Sequence, residues 1–225
     1  MLEARKSVLL EKIFAVYNSN LIKRRFNSLQ VSGLDFLTAR NKNFPLIIYA
    51  NHSSWWDGLV AFQISREVKL DSFLIMEERQ LRKLRFFRKL GAFSVLREKP
   101  REAVKSIAYA ADILQKKPNR VVWIFPQGEI LPNDSRPLGF YNGLSKITEK
   151  VGTCYAVSVA MRFEFLGEFK PDIFVKIDEP EISNNDGSFF SKKMTAIFEK
   201  KLTETLNTLR TQILTKKTDG YKKIF

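Results

Sequence analysis

His52 is the only histidine in the 225-residue chain. If an imidazole does acid–base chemistry here near neutral pH, it is this one. It stands in Asn51-His52-Ser53-Ser54-Trp55-Trp56-Asp57-Gly58, directly after the apolar run Leu46-Ile47-Ile48-Tyr49-Ala50. That run has strand character and a helix is predicted from about Trp56. His52 therefore falls in a turn at the carboxyl end of a strand, the edge of an open α/β sheet where ligands bind. Asp57 lies five residues on, a spacing that within one helix does not make a same-face pair. With His52 in the turn and Asp57 in the first helical turn, the carboxylate can accept from one ring nitrogen and leave the other free to take a proton. Each residue alone has a plainer role: a lone histidine is usually structural, and a first-turn acid complements the helix dipole.

The elements that must hold this pair follow from hydrophobic patterning. Strands are expected at 29–32, 45–50, 72–76, 93–96, 120–125, 154–161 and 172–178, and helices at 56–66, 79–90, 100–116, 138–151 and 188–215. Strands interleaved with helices of this length imply an α/β fold: a mixed, largely parallel central sheet flanked by helices. Residues 1–26 form a further amphipathic helical segment, with Leu9, Leu10, Ile13, Phe14, Val16, Tyr17, Leu21 and Ile22 set among Arg5, Lys6, Glu11 and Lys12. Such a helix either lies in a membrane interface or packs on the domain with one solvated face. Glu3 and Glu11 interrupt the apolar region that a cleavable signal would need. The expected division is thus an N-terminal helix, 1–26, that can anchor at a membrane interface, and an α/β domain, 27–225.

Composition narrows the partners. A formal net charge of +14 points to a polyanion: an anionic bilayer, a phosphorylated small molecule or nucleic acid. Nineteen phenylalanines suggest a large apolar cavity or a surface that meets lipid. Both features meet in Arg79-Gln80-Leu81-Arg82-Lys83-Leu84-Arg85-Phe86-Phe87-Arg88-Lys89-Leu90, where cations alternate with Leu and Phe. Apolar runs are too short to span a bilayer, so the expectation is a peripheral protein. Cys154 is the only cysteine, which excludes an internal disulfide, and its apolar surroundings suggest a buried, inert thiol.

The segment from Asn51 to Asp57 resembles the Asn-His-x4-Asp block of the phospholipid/glycerol acyltransferase superfamily, which includes 1-acylglycerol-3-phosphate acyltransferases. Gly91-Ala92-Phe93-Ser94-Val95-Leu96-Arg97 is similar to the second block of that family. Phe125-Pro126-Gln127-Gly128-Glu129 resembles the third, Phe-Pro-Glu-Gly-Thr-Arg, and Val31-Ser32-Gly33-Leu34-Asp35 the segment before the first. The resemblance spans residues 28 to 165. It implies an O-acyltransferase of phospholipid or other lipid metabolism that uses acyl-CoA or acyl-ACP as co-substrate, with no cofactor and no metal. His52 would be the general base, oriented by Asp57, and Arg97 would hold a phosphate. Here Gln127, Glu129 and Ile130 replace the family's Glu, Thr and Arg. The substrate-binding set implied is therefore Arg97, Gln127, Gly128, Glu129 and Arg136, with Arg136 in place of the missing arginine. A sugar, glycolipid or other lipid alcohol fits such a pocket at least as well as a glycerol phosphate.

The expected partners are an acyl thioester donor, a lipid acceptor and an anionic membrane surface, with the protein peripheral on the cytoplasmic face of a membrane. Nucleic acid is not expected, because the cations lie in apolar-rich helices rather than in a recognised binding motif. A serine hydrolase would use Ser53 or Ser54, but the chain has no Gly-x-Ser-x-Gly elbow. A catalytically inactive, lipid-binding relative of the family is the alternative reading.

Overall fold

The strand β2 (Leu46–Ala50) is buried at every position, so it must have a core on both faces. Its side chains alternate accordingly: Leu46, Ile48 and Ala50 enter one apolar cluster, Ile47 and Tyr49 the other. The computed structural model describes residues 1–117, 119–183 and 191–225. Its strands are β1 (Leu29–Ser32), β2, β3 (Asp71–Glu77), β4 (Ala92–Val95), β5 (Arg120–Ile124), β6 (Cys154–Glu164), β7 (Asp172–Ile177), β8 (Glu181–Ser183) and β9 (Lys222–Lys223). The sheet order is β4-β3-β5-β2-β6-β7-β1-β9, with β8 also paired to β6. The run from β4 to β6 is parallel throughout, whereas β7 and β8 lie antiparallel to β6. This is the mixed, largely parallel α/β fold that the patterning implies.

Helices cover both faces. On one lie α1 (Val8–Arg25) and α3 (Asp57–Glu67); on the other lie α5 (Pro100–Lys116), α6 (Gly143–Val151) and α7 (Ser191–Leu214). Two short helices, α2 (Phe36–Ala39) and α4 (Glu78–Lys83), fill connections. Ser7 caps α1 by accepting from the Leu10 N–H, and Pro100 stands at the start of α5, where its missing N–H costs nothing.

Of the two placements that its pattern allows, the N-terminal helix takes up packing on the domain. Phe14, Asn18 and Ile22, four residues apart, are buried, and Asn18 Nδ2 donates to the Leu59 carbonyl of α3 at 3.1 Å. Val8, Leu9, Ile13, Val16 and Tyr17 remain exposed. Phe14 and Ile22 belong to the same core as β2 and α3, so α1 is packed onto the domain.

Four expected helices differ from those observed. Of the helix expected over 1–26, only Val8–Arg25 is helical; before it the N–H groups of Arg5 and Ser7 donate to the Arg88 and Lys89 carbonyls. The helix expected over 79–90 is broken at Leu84, with α4 before it and a 3-10 turn, Arg85–Leu90, after it. The break carries Phe86 and Phe87 to the ring of Phe14, at 5.6 and 6.0 Å between centroids. The helix expected over 138–151 begins only at Gly143. Gly139 takes a positive φ of 70°, and Glu199 accepts from the N–H groups of Gly139 and Phe140. Of the helix expected over 188–215, positions 188–190 lie outside the described residues.

Candidate active site

The parallel order puts three loops at one edge. His52 follows β2, Phe125 to Glu129 follow its neighbour β5, and Arg97 follows β4, two strands further along. Blocks separated by tens of residues in sequence therefore meet at the carboxyl ends of the strands.

Asp57 is fully buried at the start of α3. Its Oδ2 accepts from the N–H groups of Ser53 and Ser54 at 2.7 and 2.8 Å and lies 2.8 Å from His52 Nδ1. One carboxylate oxygen thus gathers the whole turn. Because a carboxylate only accepts, it selects the tautomer with the proton on Nδ1 and leaves Nε2 with a free lone pair. The five-residue spacing works because residues 53–56 form a loop that folds back on the acid.

The third block holds His52 from the other side. The His52 N–H donates to Gln127 Oε1 at 2.7 Å, and the His52 carbonyl accepts from the Leu131 N–H at 2.9 Å. The ring of Phe125 stacks on the imidazole, 4.7 Å between centroids at 21°. Next to it, Asn51 ties β2 to β6: its Nδ2 donates to the Met161 carbonyl and its Oδ1 accepts from the Met161 N–H. Asn51 Nδ2 also reaches Asn133 Oδ1 in the third-block loop at 3.2 Å.

His52 opens on a cavity of about 800 Å³, at the upper end of the roughly 300–1,000 Å³ common for ligand sites. One part is apolar, lined by Phe14, Phe62, Leu74, Leu84 and Phe87. The other is lined by Arg97, Glu129, Tyr141, Asn142 and Lys146. The guanidinium of Arg97 lies 4.8 Å from the centre of the Tyr141 ring and against the backbone of Gly128, whose φ is +71°. A side chain at Gly128 would collide with that guanidinium. Among the described residues, neither Arg97 nor Lys146 has a carboxylate partner.

The expected site residues thus divide. His52, Asp57, Arg97, Gly128 and Glu129 come together at the cavity, with Asp57 directly behind its wall. Gln127 does not line the cavity; it is buried and supports His52. Arg136 is not part of the site, a correction to the expectation. It turns outward and bonds the carbonyls of Asn133 and Ser135 and the side chain of Asn207 on α7. Lys146 went unnoticed in the sequence because it lies one helical turn beyond the Asn142–Gly143 junction in an otherwise ordinary helix. Among the described residues, no cluster of three or more His, Cys, Asp or Glu could hold a metal ion.

The acyltransferase family model matches residues 28–162. The chain belongs to that family, within the phospholipid/glycerol acyltransferase superfamily. The match ends inside β6 and takes in all three blocks, so the acyltransferase core is the parallel part of the sheet with its carboxyl-edge loops. Among curated proteins, none matches the chain.

Proposed function

We propose that this acyltransferase moves a fatty acyl group from an acyl thioester, acyl-CoA or acyl-ACP, to a hydroxyl of a lipid or glycolipid acceptor. The observation that carries the reading is His52 itself, anchored through Nδ1 on a buried carboxylate at the mouth of a large, mostly apolar cavity. In this reading Nε2 takes the proton of the acceptor hydroxyl as its oxygen attacks the thioester carbonyl. The tetrahedral intermediate collapses with cleavage of the C–S bond, and the imidazolium returns the proton to the departing thiolate. The products are the ester and the free thiol. Asp57 holds the ring and stabilises the transient imidazolium. A positioned base of this kind is worth roughly 10²–10⁴-fold in rate.

The cavity supports an assignment of the two substrates' parts. The apolar arm between α1, α3 and α4 suits the acyl chain. Arg97 and Lys146 suit an anionic group, since both face the cavity without an internal counter-ion. Lys146 then supplies the second cation that Ile130 leaves out of the third block. Access from an anionic bilayer, at the cytoplasmic leaflet, fits the net positive charge and the exposed apolar face of α1. Among the described residues no helix is long and apolar enough to cross a membrane.

The decisive experiment supplies purified protein with acyl-CoA or acyl-ACP and a lipid extract, then identifies acylated products by mass spectrometry. Wild-type protein yields a new ester and His52→Ala does not, while both retain the same circular dichroism. Transfer by His52→Ala at the wild-type rate overturns the mechanism. The replacement of the third-block arginine by Ile130 favours one second reading, a lipid-binding relative without activity; lipid binding with no ester from either donor would establish it.

A further inference from the structure

β6 pairs with β2 up to Val159, the partner of Ala50, and then continues to Glu164. At about 3.3 Å per residue, the strand rises on the order of 16 Å past the end of β2, on the same edge as His52. It carries a short tip, Phe165-Leu166-Gly167-Glu168-Phe169-Lys170-Pro171, before β7 returns. Phe169 is 97% exposed, Phe165 69% and Leu166 55%. Scattered exposed apolar residues are ordinary, but three large ones on one hairpin tip mark a contact surface.

The base of this hairpin is fixed to the site. Phe163 packs on Phe26 at 5.6 Å, and Phe26 meets Trp56 of the catalytic turn edge-on at 5.0 Å. The Asn27 N–H donates to the Pro171 carbonyl at 2.9 Å, which sets the end of α1 beside the tip. That end presents Arg24 and Arg25, exposed and without a carboxylate partner among the described residues; Lys170 has none either. An apolar tip flanked by unpaired cations is complementary to an anionic lipid interface. The rings enter the acyl boundary and the cations meet phosphates.

We propose that the β6–β7 hairpin tip inserts into an anionic bilayer, as a contact separate from the exposed apolar residues Val8 to Tyr17 of α1, and seats the His52 edge of the sheet against the lipid. The inference rests on the membrane-surface part of the proposed function and not on its chemistry.

The test uses the full chain and vesicles of phosphatidylcholine containing phosphatidylglycerol, read by flotation. Replacing Phe165, Leu166 and Phe169 together by Ser lowers the vesicle partition coefficient at least about tenfold. Thermal unfolding stays unchanged, because these side chains have little to lose in the fold. In a second variant, Phe169→Trp, the added fluorescence is quenched by lipids brominated in their acyl chains, beyond the quenching of wild-type protein. Wild-type partition by the triple variant, or no added quenching, overturns the proposal. If a control with Leu9→Ser and Val16→Ser alone loses binding, the hairpin inference falls while membrane association through α1 stands. If wild-type protein ignores the vesicles, both fall. Loss of a self-association seen by light scattering, with vesicle binding intact, would reassign the tip to a second copy of the chain and equally overturn the inference.

Discussion

Gln127 Oε1 accepts the backbone N–H of His52 at 2.7 Å, so the third block grips the main chain of His52 through Gln127 while its Phe125 stacks on the ring. The glutamine that departs from the family's glutamate therefore keeps an acceptor oxygen while removing a charge beside the imidazole. Gln127→Leu takes the acceptor from the part-buried His52 N–H, at a cost of up to about 1–3 kcal/mol. The expected result is a lower denaturation midpoint together with a fall in kcat larger than any change in KM. Gln127→Glu keeps an acceptor and is expected to hold both parameters closer to wild type. Equal loss in the two variants would mean that the hydrogen bond is not what matters.

Asp57→Asn tests the orienting carboxylate. An amide cannot serve all three donors with one charged oxygen, and it no longer opposes the imidazolium. We expect kcat to drop by roughly 10²–10⁴ with the acceptor KM little changed, measured at saturating thioester. A drop of less than tenfold would place His52 in a structural role.

Gly128 and Arg97 make one unit. Gly128→Ala forces a left-handed conformation on a residue with a side chain, costing about 1–3 kcal/mol, and pushes its Cβ into the Arg97 guanidinium. The measurable signature is a raised KM for the substrate whose anion Arg97 is proposed to hold. Lys146→Ala is expected to raise the same KM, and Lys146→Arg to restore it. Comparing a phosphate-bearing acceptor with its uncharged alcohol, and acyl-CoA with acyl-ACP, shows which substrate carries that anion.

Cys154 is fully buried, and burial pushes its thiol up to about 12. The thiolate is the reactive form, so native protein is expected to resist maleimide at pH 7 and to take up one equivalent after denaturation. Fast labelling of the folded protein would contradict the burial.

The geometry of the candidate site was legible because its signals are local. A five-residue apolar run specifies a strand buried on both faces, and the single histidine after it is the one imidazole that could serve there. The parallel order is what carries Arg97 and Gln127 to the His52 edge, and the alternation of strands and long helices announces it. What stayed hidden depends on packing between distant segments. Arg136 turns away because Asn207, 71 residues later on α7, accepts from it. The helix expected from 138 is held open by Glu199, which no local pattern connects to Gly139. Leu84 breaks its helix for the sake of Phe14, 70 positions earlier. Lys146 and the apolar tip at 165–169 look in sequence like one more helical cation and one more loop.

The parallel run β4-β3-β5-β2-β6 sends every chemical group to one rim of the sheet. Among the described residues, the opposite rim carries the approaches to β3, β5 and β6, at 68–70, 119 and 152–153. Reactivity and cohesion are therefore written on separate margins of the same plate. Tags, fusions or new chain ends belong on the quiet margin, and a library aimed at a different acceptor alcohol should be confined to the loops after β2, β4 and β5.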